Sequence, residues 1–167
     1  MNLEQLTTLF AYNDWANDLV LTSAKALDQE TYAQKHDMGN GWEYSIGSML
    51  SHLRIAEFIW LRRWQGQSPT SLPNEEDTPT LSVLLAAWEP LREERRAYIA
   101  ALTPEKIAAD LTYTTTTGVA YRQKLWQLLM HLINHGTEHR SHLSPQLSRL
   151  GQPTPDLGFM NFLRQRE

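Results

Sequence analysis

Apolar side chains return every three or four residues along most of this chain, and the breaks in that rhythm divide it into four long segments. Between positions 3 and 27, Leu3, Leu6, Phe10, Ala16, Leu19, Val20 and Leu27 recur without an intervening Pro or Gly, which predicts a first long helix. Within it the run YNDW at 12–15 sets Tyr12 and Trp15 almost one turn apart, and core packing is the expected fate of such aromatics. Residues 28–44, which include GNGW at 39–42, read as a loop. Ser45 is placed to cap a second helix running to about Gln65, whose apolar stripe is Ile46, Met49, Leu53, Ala56, Trp60 and Trp64.

Residues 66–79 form a polar, Pro-containing connection, long enough to cross a bundle and let the helices on either side run parallel. The third helix begins near Thr78 or Thr80 and continues through Leu81, Leu84, Leu85, Trp88, Leu91, Tyr98 and Leu102. Pro90 predicts a kink or break in it, and REERR at 92–96 reads as a solvated face with local ion pairs. Thr103 and Pro104 mark a short helical turn. Residues 111–122, rich in Thr and Tyr around Gly118, predict two short extended segments. A fourth long helix follows from about Gln123 through Leu125, Leu128, Leu129, Leu132, His135, His139, Leu143 and Leu147, with Gly151 as its stop. Pro145 interrupts its far end. The tail, with Leu157, Phe159, Met160, Phe162 and Leu163, is too apolar for water and is expected to dock on the bundle. The pattern therefore predicts an all-α fold with four long helices.

Composition narrows the class. The chain has 167 residues, which fits one domain over 1–167 with a sizeable core. Its net charge of −4 disfavours nucleic acid as a partner, because such binders present a basic face. No apolar run approaches the roughly 20 residues of a membrane span and no basic-then-apolar leader opens the chain, so no membrane contact is expected and a cytoplasmic location is. There is no cysteine, so a transition metal would have to be held by His, Asp or Glu.

The candidate chemistry lies in HLINHGTEHRSHL, residues 131–143. His131, His135, His139 and His142 are spaced four, four and three apart, which stacks four imidazoles on one face of the fourth helix. Two imidazoles one turn apart can close on a single cation. His52 lies among Met49, Leu53, Ala56, Ile59 and Trp60 on the face the second helix turns inward, where a third ligand could originate. Imidazoles converging from two helices repel one another when protonated and share a cation readily when neutral. Because ligands with reference pKa near 6.5 must be neutral to bind, affinity is expected to fall below about pH 6. His131 is expected beside the centre or in the core, with a fourth ligand as the alternative; His142 is a candidate proton-transfer group, with a surface residue as the alternative; and His36 is expected to be exposed. Glu138, Asn134 and Arg140 flank the column and read as solvated or helix-packing residues.

YNDWAN at 12–17, SIGSMLSHLRIAE at 45–57 and LWQLLMHLINHGTEHRSHL at 125–143 together resemble the DinB family, which includes YfiT-like proteins, across nearly the whole chain. The resemblance implies a four-helix bundle running up, down, down, up, and a divalent metal, zinc or nickel, held by His52, His135 and His139. It also implies a homodimer, a small-molecule substrate that in some relatives is a low-molecular-weight thiol, and an activity of S-transferase or hydrolase type. Family members often read His-Arg-Gly-Gln after the last ligand, whereas here His139 is followed by Arg140, Ser141 and His142. The rival reading is a protein that binds a metal or small ligand without catalysis; a haem protein is a weaker third, since the bulky stripes leave no large flat cavity.

Overall fold

A computed structural model describes residues 1–37, 43–153 and 156–166. Four long helices dominate: α1 (Leu3–Ala24), α3 (Ile46–Trp64), α4 (Leu81–Ala100) and α6 (Leu125–Arg149). Shorter pieces join them, namely α2 (Gln29–Ala33), an antiparallel ribbon of β1 (His36–Asp37) and β2 (Glu43–Tyr44), α5 (Pro104–Ala108), a hairpin of β3 (Asp110–Thr114) and β4 (Ala120–Lys124), and α7 (Phe159–Arg164).

Side-chain partners fix the directions of the four long helices. Going up α1, Asn13 and Asn17 meet Arg140, and Ser23 reaches Pro153, so α1 and α6 run parallel. Met49 meets His139 while Trp60 meets His131, so α3 opposes α6. Glu57 meets Trp88 and Trp64 meets Tyr98, so α4 runs with α3. The order is up, down, down, up, and each helix packs on two others around one core of Leu6, Phe10, Val20, Met49, Leu50, Leu61, Leu84, Trp88, Leu129 and Leu147.

Local chemistry sets the helix ends. Ser45 Oγ accepts from Ser48 N at 2.9 Å, the expected N-cap. Gly66 and Gly151 adopt φ of +80° and +74° directly after α3 and α6. There the amides of Gln67 and Gln152 return to the carbonyls of Arg62 and Leu147, closing a Schellman motif that suits glycine.

Several expectations change. α1 ends at Ala24 rather than near 27, and the stretch expected to be a loop contains α2, capped by Asp28 Oδ1 on Thr31 N at 2.7 Å, while Gly39 to Trp42 lie outside the described residues. His36 is half-buried on β1 rather than exposed. Neither Pro90 nor Pro145 breaks its helix; both are exposed, as are Ala86 and Ser141, whose carbonyls lose the amide partner and can turn to water.

The largest correction concerns REERR. Arg95 is 0% and Arg92 5% exposed, so only part of this stretch is the solvated face expected: Glu93 is 65% exposed and pairs locally with Arg96 at 2.6 Å, while the other side is buried. Arg95 Nε donates to Glu57 Oε1 at 2.7 Å and its Nη2 to Asp14, while Arg96 Nε reaches the other Asp14 oxygen at 3.0 Å. Trp88 Nε1 donates to the second oxygen of Glu57 at 3.0 Å. The tail docks as expected: Phe162 packs on Tyr12 and Trp15, and Tyr12 Oη donates to Leu157 O at 2.9 Å.

Candidate metal centre

The centre lies on the seam between α3 and α6. His52 Nε2 is 3.2 Å from His135 Nε2, which is 3.1 Å from His139 Nε2, and one nitrogen from each ring falls within 4.8 Å of the other two. Nitrogens roughly 2.0–2.1 Å from a tetrahedral cation lie about 3.4 Å apart, so these rings fit one ion with a small outward adjustment. The tautomer that frees His139 Nε2 for a metal carries its proton on Nδ1, which then donates to Met49 Sδ at 3.2 Å and fixes the ring plane.

Electrostatics keep the rings neutral. Burial, then the neighbouring His139, His52 and His131, push His135 down to about 3. Burial and His52 push His139 down to about 4, against the opposing charge of Glu138. His52 is lowered by burial, with Glu75 acting the other way. Lone pairs are therefore available at neutral pH, and a set of three uncharged imidazoles suits zinc, nickel or another borderline divalent ion.

The other histidines take distinct places. His131 packs edge-on against Trp60 with centroids 4.8 Å apart and stands 5.9 Å from the His135 ring, beside the three converging rings and not among them. His142 is exposed, perpendicular to His139 at 6.2 Å, on the rim. Glu138 and Asn134 are exposed, whereas Arg140 is 1% exposed. Arg140 Nη1 donates to Asn13 Oδ1 at 2.7 Å and Asn17 Oδ1 at 2.8 Å, a clasp that ties α6 to α1 so that its opposite face offers the imidazoles to α3. Gly136 makes room for it: a Cβ there would come 2.7 Å from Asn13 Oδ1 and 2.8 Å from Arg140 Nη1.

Sequence reasoning missed four of these contributors. Asn13 and Asn17 stand together only in the YNDWAN run that carries the resemblance, and Met49 only as a core residue. Glu75 sat in a polar connection with no period to place it. The spacing of Asn13 and Asn17, one turn apart on an apolar helix, was the available signal.

A four-helix bundle with a three-histidine cluster between its second and fourth long helices defines the class. The chain belongs to the DinB family, whose pattern it matches over residues 1–167. Protein DinB of Bacillus subtilis (strain 168) is 27% identical over 179 residues, covering 95% of each chain. Among solved structures, YfiT from Bacillus subtilis, described as a probable metal-dependent hydrolase with an unusual four-helix bundle topology, superposes with a TM-score of 0.69 at 16% identity over 92% of this chain and 91% of its own. A DinB-like protein from Bacillus cereus ATCC 10987 gives 0.60 at 14% identity over 86% and 91%. The colibactin self-resistance protein ClbS, in complex with a dsDNA, gives 0.58 at 13% over 86% and 93%. No described helix is long and apolar enough to cross a membrane.

Proposed function

We propose that this chain is a metal-dependent enzyme in which His52, His135 and His139 hold one divalent cation, zinc or nickel, and that water or a low-molecular-weight thiol is the nucleophile. The observation that supports it is the convergence of three uncharged Nε2 atoms with no acid among them. A cation so held keeps its full charge and supplies Lewis-acid activation of a water or thiol proton. The protein's part is positional. Met49 on α3 orients the His139 ring, and the Arg140 clasp on Asn13 and Asn17 holds α6 against α1. His142, on the rim and open to solvent, carries the released proton away. The description of YfiT favours the hydrolytic arm for this fold; the thiol arm rests on the affinity of a borderline cation such as zinc or nickel for thiolate sulfur.

The partner is accordingly a small molecule, and with a net charge of −4 no nucleic acid is proposed. We also propose a homodimer. Although α7 docks, Phe159 and Met160 remain 37% and 57% exposed beside the start of α1, an apolar edge that pairing would cover. Sedimentation at tens of micromolar should show a dimer, and a monomer there removes this claim alone. The central test is elemental analysis of untagged protein, followed by assays of thiol conjugation and of ester and amide hydrolysis on the loaded form. One equivalent of metal with turnover supports the reading. Metal without any turnover returns the chain to a binding protein.

A further inference from the structure

We infer that Arg63, at the hairpin end of the seam between α3 and α6, binds the carboxylate of a small substrate whose other end reaches the three imidazoles. This rests on the metal-centre reading above and adds a substrate class to it. Arg63 is 8% exposed, as sheltered as the arginines that hold the bundle together. Those have partners in the chain: Arg92 and Arg95 face carboxylates, and Arg140 donates to Asn13 and Asn17. Arg63 has none. It forms no ion pair and donates no side-chain hydrogen bond among the described residues.

The guanidinium is nonetheless open where a ligand would need it. Of its three nitrogens only Nε is sealed from solvent, so both terminal nitrogens keep accessible surface without an acceptor. Arg54 is buried and unpaired too, but there Nη2 is sealed as well as Nε. Aromatic rings hold Arg63 in place: its Cζ lies 4.7 Å from the centre of the Trp60 ring and 4.9 Å from that of Tyr113, and Tyr113 is itself stacked on Tyr121 across the hairpin at 5.9 Å. Such contacts steady the cation and supply no oxygen to its N–H donors. A planar fork with two free donors is matched by the two oxygens of a carboxylate, and since only uncharged rings touch it, one negative charge balances the site.

A continuous row joins this group to the metal centre. Trp60 meets Arg63 on one side and His131 on the other at 4.8 Å, and His131 stands 5.9 Å from His135. His131 is exposed, while Trp60, His52, His135 and His139 are half-buried, so the row faces solvent along its length. Arg63 follows His52 by about three turns of α3, roughly 16 Å along the axis. A substrate of that span would set its thiol or scissile group at the imidazoles, lay its middle over Trp60 and His131, and end its carboxylate on Arg63.

The test uses the full-length protein loaded with cobalt(II), titrated with mercaptoalkanoic acids of increasing length and with mercaptoalkanols of matching length, reading the thiolate-to-cobalt absorption. Once the chain spans the seam, the acid should bind about tenfold tighter than its alcohol. On chains too short to span it, yet too long to chelate the cation, the two should bind alike. Arg63→Gln should erase the preference and leave the alcohol's affinity in place, and Arg63→Lys, which keeps the charge, should retain part of it. The length series on the wild type needs no variant and decides by itself if Arg63→Gln folds poorly. No thiolate band with any thiol, equal affinities at every length, a preference that is the same at every length, or one that survives Arg63→Gln overturns the proposal. Cobalt uptake is measured first: a chain that takes up none refutes the metal-centre reading and this proposal with it, whereas cobalt bound with equal affinities overturns this proposal alone.

Discussion

α3 carries polar groups on two faces, and the two clusters are built on opposite principles. Toward α4 and α1, Glu57 meets Arg95, which meets Asp14, so each of these three charges faces one of opposite sign. Toward α6, His52 meets His135 and His139, three bases with no acid among them. The first cluster sets acid against base as folded. The second is stable only while its rings stay neutral, because three imidazoles converge with no acid among them. A buried polar group thus signals architecture when its partner is in the chain, and a ligand when its neighbours repeat its own chemistry.

The sharpest break between the two clusters is metal content. Alanine at 52, 135 or 139 should reduce bound divalent metal from about one per chain to near none, while the metal-free protein keeps its helicity and melts within about 1 kcal/mol of wild type, since these half-buried rings contribute little packing. Elemental analysis beside circular dichroism checks both halves. Metal retained in all three variants would place the ion elsewhere.

Arg95→Ala should do the reverse. It leaves Glu57 and Asp14 buried beside an absent partner, a loss of about 3–5 kcal/mol, or a fall in melting temperature of roughly 10 °C for a chain of this size, with metal stoichiometry unchanged in the folded fraction. Replacing both partners, Arg95→Met with Glu57→Gln, should recover part of that loss. The pair of Arg62 with Glu94 supplies the control, because it lies at the surface with Glu94 40% exposed and its removal should cost under about 1 kcal/mol. Similar losses at both sites would mean that burial of Arg95 does not govern its worth.

This contrast also explains what the sequence could disclose. The four long helices were legible because each buries one stripe whose 3.6-residue period survives in the apolar letters. The imidazole column was legible for the same reason, being a periodic feature of one helix. REERR was not, since a run of charges looks solvated until Asp14 and Glu57 arrive from other helices, and no local pattern announces them. The ribbon of β1 and β2 is too short for a period. Pro90 and Pro145 misled because an exposed proline can pass through a long helix that packing holds from the other side.

Next in size is His142. It shares the column but neither the burial nor the convergence of His52, His135 and His139, so it should behave as neither cluster does. His142→Ala should leave metal content and melting temperature at wild-type values and lower turnover by roughly 10²-fold for any substrate the loaded enzyme accepts. An unchanged rate would return this ring to the surface.

The smallest effect is on pH, and it is the one where the structure reverses the expectation drawn from free histidine. In the folded, metal-free chain His135 and His139 are held down to about 3 and 4, against roughly 6.5 when unfolded. The unfolded chain therefore binds more protons between about pH 4 and 6.5, and folding stability in that window rises with pH. The contribution is whole above the unfolded value and is lost as pH falls toward the folded one. Metal-free protein should consequently melt lower at pH 5 than at pH 7.5, and His135→Ala should flatten that dependence, which thermal melts would show. Metal binding to the folded chain should do the opposite of what a reference pKa suggests. Protons compete poorly for rings already neutral, so the affinity measured by calorimetry should hold from pH 7 to about pH 5 instead of collapsing below about pH 6. A steep loss of affinity through pH 6, with no matching change in stability, would show that these rings titrate as free imidazoles and that burial and mutual repulsion do not prepare them for a cation.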